Sequence, residues 1–148
     1  MSIVAAAKDS DLTRYVTFRT RKGHKAISFD SGSAILTEKT AENLGLHTGD
    51  TFWVENAEGT RVKLTLTGIT ENYMFTRLYL PRAQLESLLG TEDIPWNTVY
   101  GQTTCTDAAG YNALRTDLLD CNYVSGLSFT EDTAELFDSL VVSLGDVV

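Results

Sequence analysis

Two histidines, two cysteines and 20 carboxylate side chains are the residues of this 148-residue chain that offer chemistry beyond packing. His24 and His47 each stand in a turn-like context. Neither has a Glu or Asp at the i+4 spacing of a helical metal motif, so no metal site is expected. Cys105 and Cys121 are too few for a disulfide scaffold and lack metal-ligand spacing. Their pairing stays open if one closes a strand and the other ends the helix that follows. Asp30-Ser31-Gly32 has the form of a hydrolase tripeptide, yet as a turn it needs no further explanation. The chain contains no phosphate-binding Gly-Lys-Ser/Thr loop and no Gly-x-Ser-x-Gly elbow. No catalytic residue, cofactor or metal is therefore expected, and a hydrolase built from dispersed residues is a minor reading.

These residues must be positioned by the elements between them. Hydrophobic content of 43% with 22% charged residues is that of a folded domain rather than a disordered chain. The net charge of −8, with 12 basic residues against 20 acidic ones, argues against nucleic acid as a partner. No apolar run reaches the roughly 18 residues of a membrane span, and the start lacks the charged and apolar regions of a signal peptide. The apolar, uncapped LVVSLGDVV at the end suggests a segment cut from something longer.

In chain order, residues 2–7 read as a strand, and the alternation over residues 12–19 predicts a second. Arg21-Lys22-Gly23-His24 forms a hairpin turn from which residues 25–29 return. Its basic residues read first as a solvated hairpin end and second as a contact for acidic lipid head groups or another anionic partner. Ala34-Ile35-Leu36 is a buried strand, Thr37 caps a two-turn helix with Ala41 and Leu44 on one face, and Gly45 ends it with Leu46 packing back. Gly49-Asp50 turns the chain sharply into strand 51–55, and Asn56-Ala57-Glu58-Gly59 joins that strand to 60–67. After Gly68-Ile69-Thr70 and a turn, Tyr79-Leu80-Pro81 opens helix 82–89, which Gly90 closes. Residues 97–103 and 124–129 read as strands on either side of a helix over 108–119 capped by Thr106 or Asp107, and 130–148 as a final amphipathic helix.

The run AILTEKTAENLGLHTGDTFWV, followed by VKLTLTGITENYMFTRLYLPRAQLESLLG, carries a family pattern. It resembles the extracytoplasmic domain of FtsX-like, MacB-type ABC transporter permeases, most closely their Gram-positive branch. The matching positions are Leu44, Gly45, Gly49, Asp50, Gly68, Ile69, Glu71, Asn72, Tyr73, Tyr79 and Asn97, and the likeness extends from about Tyr15 to the end. Those residues read as structural: Asn72 holds a turn through side-chain bonds to the backbone, and Tyr73 closes the β unit. The helix, Leu-Gly-Leu, Gly-Asp, strand unit also occurs in double-psi and swapped-hairpin barrels, some of which bind DNA through a basic surface absent here.

The expected fold is α+β, a small mixed barrel-like β unit (strand, helix, Gly-Asp, strand, hairpin) inserted in a ferredoxin-like βαβ lobe. On this reading residues 1–33 and 97–148 form the ferredoxin-like lobe and 34–96 the insert. The resemblance implies a non-catalytic domain on the outer face of the cell membrane. It further implies transmembrane segments outside this sequence, a cytoplasmic ATPase subunit as partner, a permease dimer, and an extracellular peptide, lipid or accessory protein as contact. The alternative is a soluble binding or regulatory domain on a swapped-hairpin barrel.

Overall fold

The computed structural model describes residues 1–72, 75–130 and 132. The chain is α+β and separates into two units, Met1–Gly101 and Gln102–Val148. The first contains β1 (Ser2–Val4), α1 (Asp9–Tyr15), β2 (Ile35–Thr37), α2 (Glu38–Leu44), β3 (Thr51–Glu55), β4 (Arg61–Thr65), β5 (Gly68–Thr70), β6 (Arg77–Tyr79) and α3 (Arg82–Leu89); the second contains α4 (Ala108–Leu119).

Four strands make a mixed sheet in the order β1-β6-β2-β5. β1 runs parallel to β6, β6 antiparallel to β2, and β2 parallel to β5. β3 and β4 form a separate antiparallel hairpin in which Trp53 faces Lys63 and Glu55 faces Arg61. Successive strand residues point to opposite faces, and the sheet uses both. Leu36 and Leu78, cross-strand partners, join a core with Ala34, Ala41, Val54, Leu64, Leu66, Leu80 and Leu88. Their neighbours Ile35 and Tyr79 face the other way, into a second core with Leu12 and Phe18. Every strand of this sheet is only three residues long, so burial on both faces, not hydrogen bonding alone, holds it. Each fully buried leucine contributes about 1.5–3 kcal/mol.

Turn chemistry fixes the unit from β2 to α3. Gly45 takes φ 66°, with its N–H on the Ala41 and Glu42 carbonyls, and the Leu46 N–H bonds the Ala41 carbonyl at 2.9 Å. Asn56 accepts from the amides of Glu58 and Thr60 and donates through Nδ2 to the Leu88 carbonyl at 2.9 Å, so one side chain closes the hairpin turn and fastens it to α3.

Several expectations need correction. Residues 12–19 are not one strand: α1 occupies the first half, burying Leu12, and the alternation holds only from Val16, where the backbone becomes extended. Leu44 does not share the buried face of Ala41; it is 57% exposed at the last position of α2, where the chain turns away at Gly45. Thr37 occupies the N-cap position but makes no side-chain cap bond. Its buried hydroxyl instead bonds the Thr40 hydroxyl at 2.8 Å and accepts the Arg77 amide at 3.1 Å, serving the sheet.

In the second unit, Asp107 caps α4 by accepting the Gly110 amide at 2.7 Å. Neither 97–103 nor 124–129 forms a strand, so the strand-helix-strand half of a ferredoxin-like lobe is not formed among the described residues. Those segments carry the β-branched residues of a strand but find no hydrogen-bonding neighbour there. Cys105 and Cys121 are free. The 12 residues of α4 lie between them, an axial length of about 18 Å, whereas a disulfide needs α-carbons within about 7 Å. The Arg115 guanidinium bonds both Asp132 carboxylate oxygens at 2.9 Å and lies over the Phe129 ring, whose edge contacts Tyr111. Most of the expected final helix lies outside the described residues. No helix among the described residues is long and apolar enough to cross a membrane.

Candidate functional site

The residues carrying the family pattern fall in two stretches of the first unit, with Asn97 apart from both. One is the junction of α2 and β3. Here Gly49, at φ 100°, donates its N–H to the Leu66 carbonyl at 2.8 Å, and the Asp50 carbonyl accepts the Leu66 amide at 2.8 Å. The Asp50 carboxylate accepts the His47 amide at 2.7 Å. Gly49 is needed because a side chain is strained at that φ. Asp50 ties the turn that Gly49 makes.

The second stretch begins at β5. Gly68 is required for a different reason, since a Cβ there would lie 2.5 Å from Ile27 Cγ2. Ile69 is half-buried against the larger core and separates two shallow hollows of about 520 and 370 Å³. Thr20, Asp30 and Thr48 help line the first, Glu42, Gly45 and His47 the second. Two polar side chains in the first are already engaged: the Thr20 hydroxyl bonds the Lys22 carbonyl and the Lys25 amide, and Asp30 accepts the Gly32 amide.

Glu71 follows β5 and is the one motif residue with a concentrated charge environment. The hairpin over 19–26 docks beside it: Arg19 bridges to Ala26, and the Thr20 amide bonds the Lys25 carbonyl. Thr70 Oγ1 accepts the Arg19 amide and donates to the Arg19 carbonyl, both at 3.2 Å, and the Glu71 amide bonds that same carbonyl at 2.9 Å. The side chains then meet. Arg19 Nε donates to Glu71 Oε1 at 2.7 Å, and its Nη2 lies 2.5 Å from that oxygen. Glu71 is only 10% exposed, and its buried Oε2 has no hydrogen-bond partner among the described residues. His24 Nδ1 lies 3.7 Å from that oxygen, beyond hydrogen-bond reach. His24 adopts φ 47°, the only non-glycine residue at positive φ among those described.

A carboxylate on Nδ1 leaves Nε2 as a general base in hydrolytic triads. Here the contact is long, Arg19 holds the carboxylate, and among the described residues His24 makes no hydrogen bond to a hydroxyl or thiol. A second arginine, Arg21, reaches Glu38 of α2 at 3.4 Å from the same hairpin. The arrangement fastens a hairpin to a sheet end and to a helix.

Asn72 Oδ1 accepts the Phe75 amide at 3.1 Å, the side-chain-to-backbone turn expected of it. Tyr73 lies outside the described residues. Tyr79 is buried in the smaller core, its ring edge-on to Phe18 at 4.9 Å. Asn97 is exposed and accepts the Thr98 hydroxyl at 3.0 Å. Arg19 and Thr70, which give Glu71 much of its setting, were not marked by sequence, and His24 was read only as a turn residue. Arg19 read as an exposed hairpin residue, and its partner stands 52 positions away. Among the described residues no group of three or more His, Cys, Asp or Glu gathers as metal ligands do. Compared with protein-family models, curated proteins and solved structures, the chain gives no match.

Proposed function

We propose that this chain is a non-catalytic extracytoplasmic domain of an ABC transporter permease of the FtsX/MacB type. It couples ATP hydrolysis by a cytoplasmic partner subunit to export, extraction or signalling at the outer face of the membrane. The observation that supports this reading most is the role of the residues behind the resemblance. Gly45, Gly49, Asp50, Gly68 and Asn72 cap, turn or permit close packing, and Glu71 anchors a hairpin. A pattern kept for shape suits a part that passes on displacement better than one that turns over a substrate. A sheet packed on both faces and a hairpin tied to the end of β5 and to α2 suit a body that moves as a unit.

Cys121 supplies the test, because its thiol is free and exposed. A membrane-impermeant maleimide is applied to intact cells making the full-length protein, beside the Cys121→Ser variant. Labelling of Cys121 in the membrane fraction, with co-purification of a nucleotide-hydrolysing subunit, is the expected result. Labelling only after lysis overturns the reading in favour of a cytoplasmic binding or regulatory domain. Labelled protein that carries no ATPase subunit overturns the coupling role.

A further inference from the structure

The unpartnered oxygen of Glu71 asks for an explanation, since buried polar atoms in folded proteins are nearly always hydrogen-bonded. Its carboxylate is nine-tenths buried, one oxygen is held by Arg19, and the other faces His24 Nδ1 at 3.7 Å without a bond. The imidazole is 63% exposed, so protons reach it freely. His24 also stands in the left-handed region, at φ 47°, which few non-glycine residues adopt. A histidine in the left-handed region beside a buried carboxylate oxygen that has no hydrogen bond among the described residues is a pair that protonation strengthens.

We propose that His24 and Glu71 form a proton-operated latch that fastens the 19–26 hairpin to the end of β5. A neutral imidazole offers an Nδ1–H donor in only one of its two tautomers, and carries no charge to hold it on the carboxylate. The imidazolium has N–H donors on both nitrogens. A small rotation then closes the 3.7 Å gap into a charge-assisted bond, and both carboxylate oxygens are satisfied. Other charged groups set the latch's background. Arg19 shares the carboxylate and stays charged throughout, and Arg21 is tied to Glu38 of α2. Lys22 and Lys25 flank His24 in the sequence of the turn. The sign follows from the proton gained. The latch is closed where the imidazole is charged and open where it is neutral. The hairpin's release lowers the protection of the bonds it shares with β5.

Hydrogen exchange reads this directly. The informative amides are Glu71, bonded to the Arg19 carbonyl, and Arg19, bonded to Thr70 Oγ1. After correction for intrinsic exchange rates, their protection is expected to be roughly two- to fivefold higher at pH 5.5 than at pH 8, the range of a partly exposed ion pair. His24→Asn keeps a residue suited to the left-handed backbone and removes the titrating group; its two protection values should coincide. Glu71→Gln should do the same through the other partner, and His47→Gln should leave the wild-type difference intact. Equal protection at the two pH values in the wild type overturns the latch, as does a pH difference that survives in His24→Asn.

Discussion

Replacing Gly68 with alanine puts a methyl group where Ile27 already is. The new carbon would lie 2.5 Å from Ile27 Cγ2, but 3.5 and 3.6 Å from Ile27 Cδ1 and Ile35 Cγ1. Only one contact is prohibitive, and relieving it needs about 1 Å of movement. The Ile27 backbone cannot move freely, because its amide bonds the Phe18 carbonyl at 2.9 Å. The strain is left to a displaced rotamer, at about 0.5–1.5 kcal/mol, or to a shift of the hairpin limb. Overpacking of this kind costs about 1–3 kcal/mol in total. Both tryptophans, Trp53 and Trp96, lie in the first unit, so urea unfolding followed by their fluorescence reports that unit. A cost of about 2 kcal/mol lowers the midpoint by roughly 0.7–2 M for the usual slopes of about 1–3 kcal/mol/M. Ile27→Ala removes the obstructing methyl, and the two changes together should cost at least about 1 kcal/mol less than their sum. Additivity to within about 0.5 kcal/mol, or a Gly68→Ala protein as stable as the wild type, would refute the close-approach explanation.

Two further outcomes follow from other contacts. Asn56→Ala removes three hydrogen bonds at once, two inside the β3–β4 turn and one to the end of α3, and should cost about 1–3 kcal/mol in the same unfolding experiment. In the second unit, the Arg115 guanidinium and the Phe129 amide hold the Asp132 carboxyl below the usual aspartate value. Its contribution to stability is therefore present above the unfolded-chain value and is lost as pH falls through the lower folded one. A carboxyl NMR titration should show Asp132 moving back toward the usual value in Arg115→Gln; an unchanged midpoint would contradict the assigned cause.

What the sequence revealed was set by range. The stretch from β2 to α3 was readable because its decisions are local. Gly45, Gly49, Gly59 and Gly90 all adopt positive φ where turns or helix ends were expected, and Asp50 and Asn56 bond amides within a few residues. Residues 12–19 misled because an alternating stretch was read across a helix end: Leu12 belongs to α1, and only Val16 and Phe18 follow the strand period. The segments 97–103 and 124–129 had strand-like composition, but composition does not supply a neighbouring strand. The candidate site was half legible. Glu71 and Asn72 stood out as a pattern, but the surroundings of Glu71 come from Arg19 and His24 on a hairpin that joins it only through the tertiary fold. Leu44 shows the converse: a helical period placed it inward, and the end of the helix turned it outward.

The parallel pairing of β1 with β6 has a consequence for synthesis. Val4 registers with Tyr79, so the first strand made waits for a partner about 75 residues later. At ribosomal rates of about 5–20 residues per second, that delay is roughly 4–15 s. Throughout it, the Ile3-Val4-Ala5-Ala6-Ala7 stretch has neither its ladder nor the core that β6 completes. An unpaired apolar strand is where chains pair wrongly with their neighbours. Lys8 and Asp9, directly after that stretch, place charge beside it during the wait. The last strand of the sheet to be translated is thus the one that rescues the first.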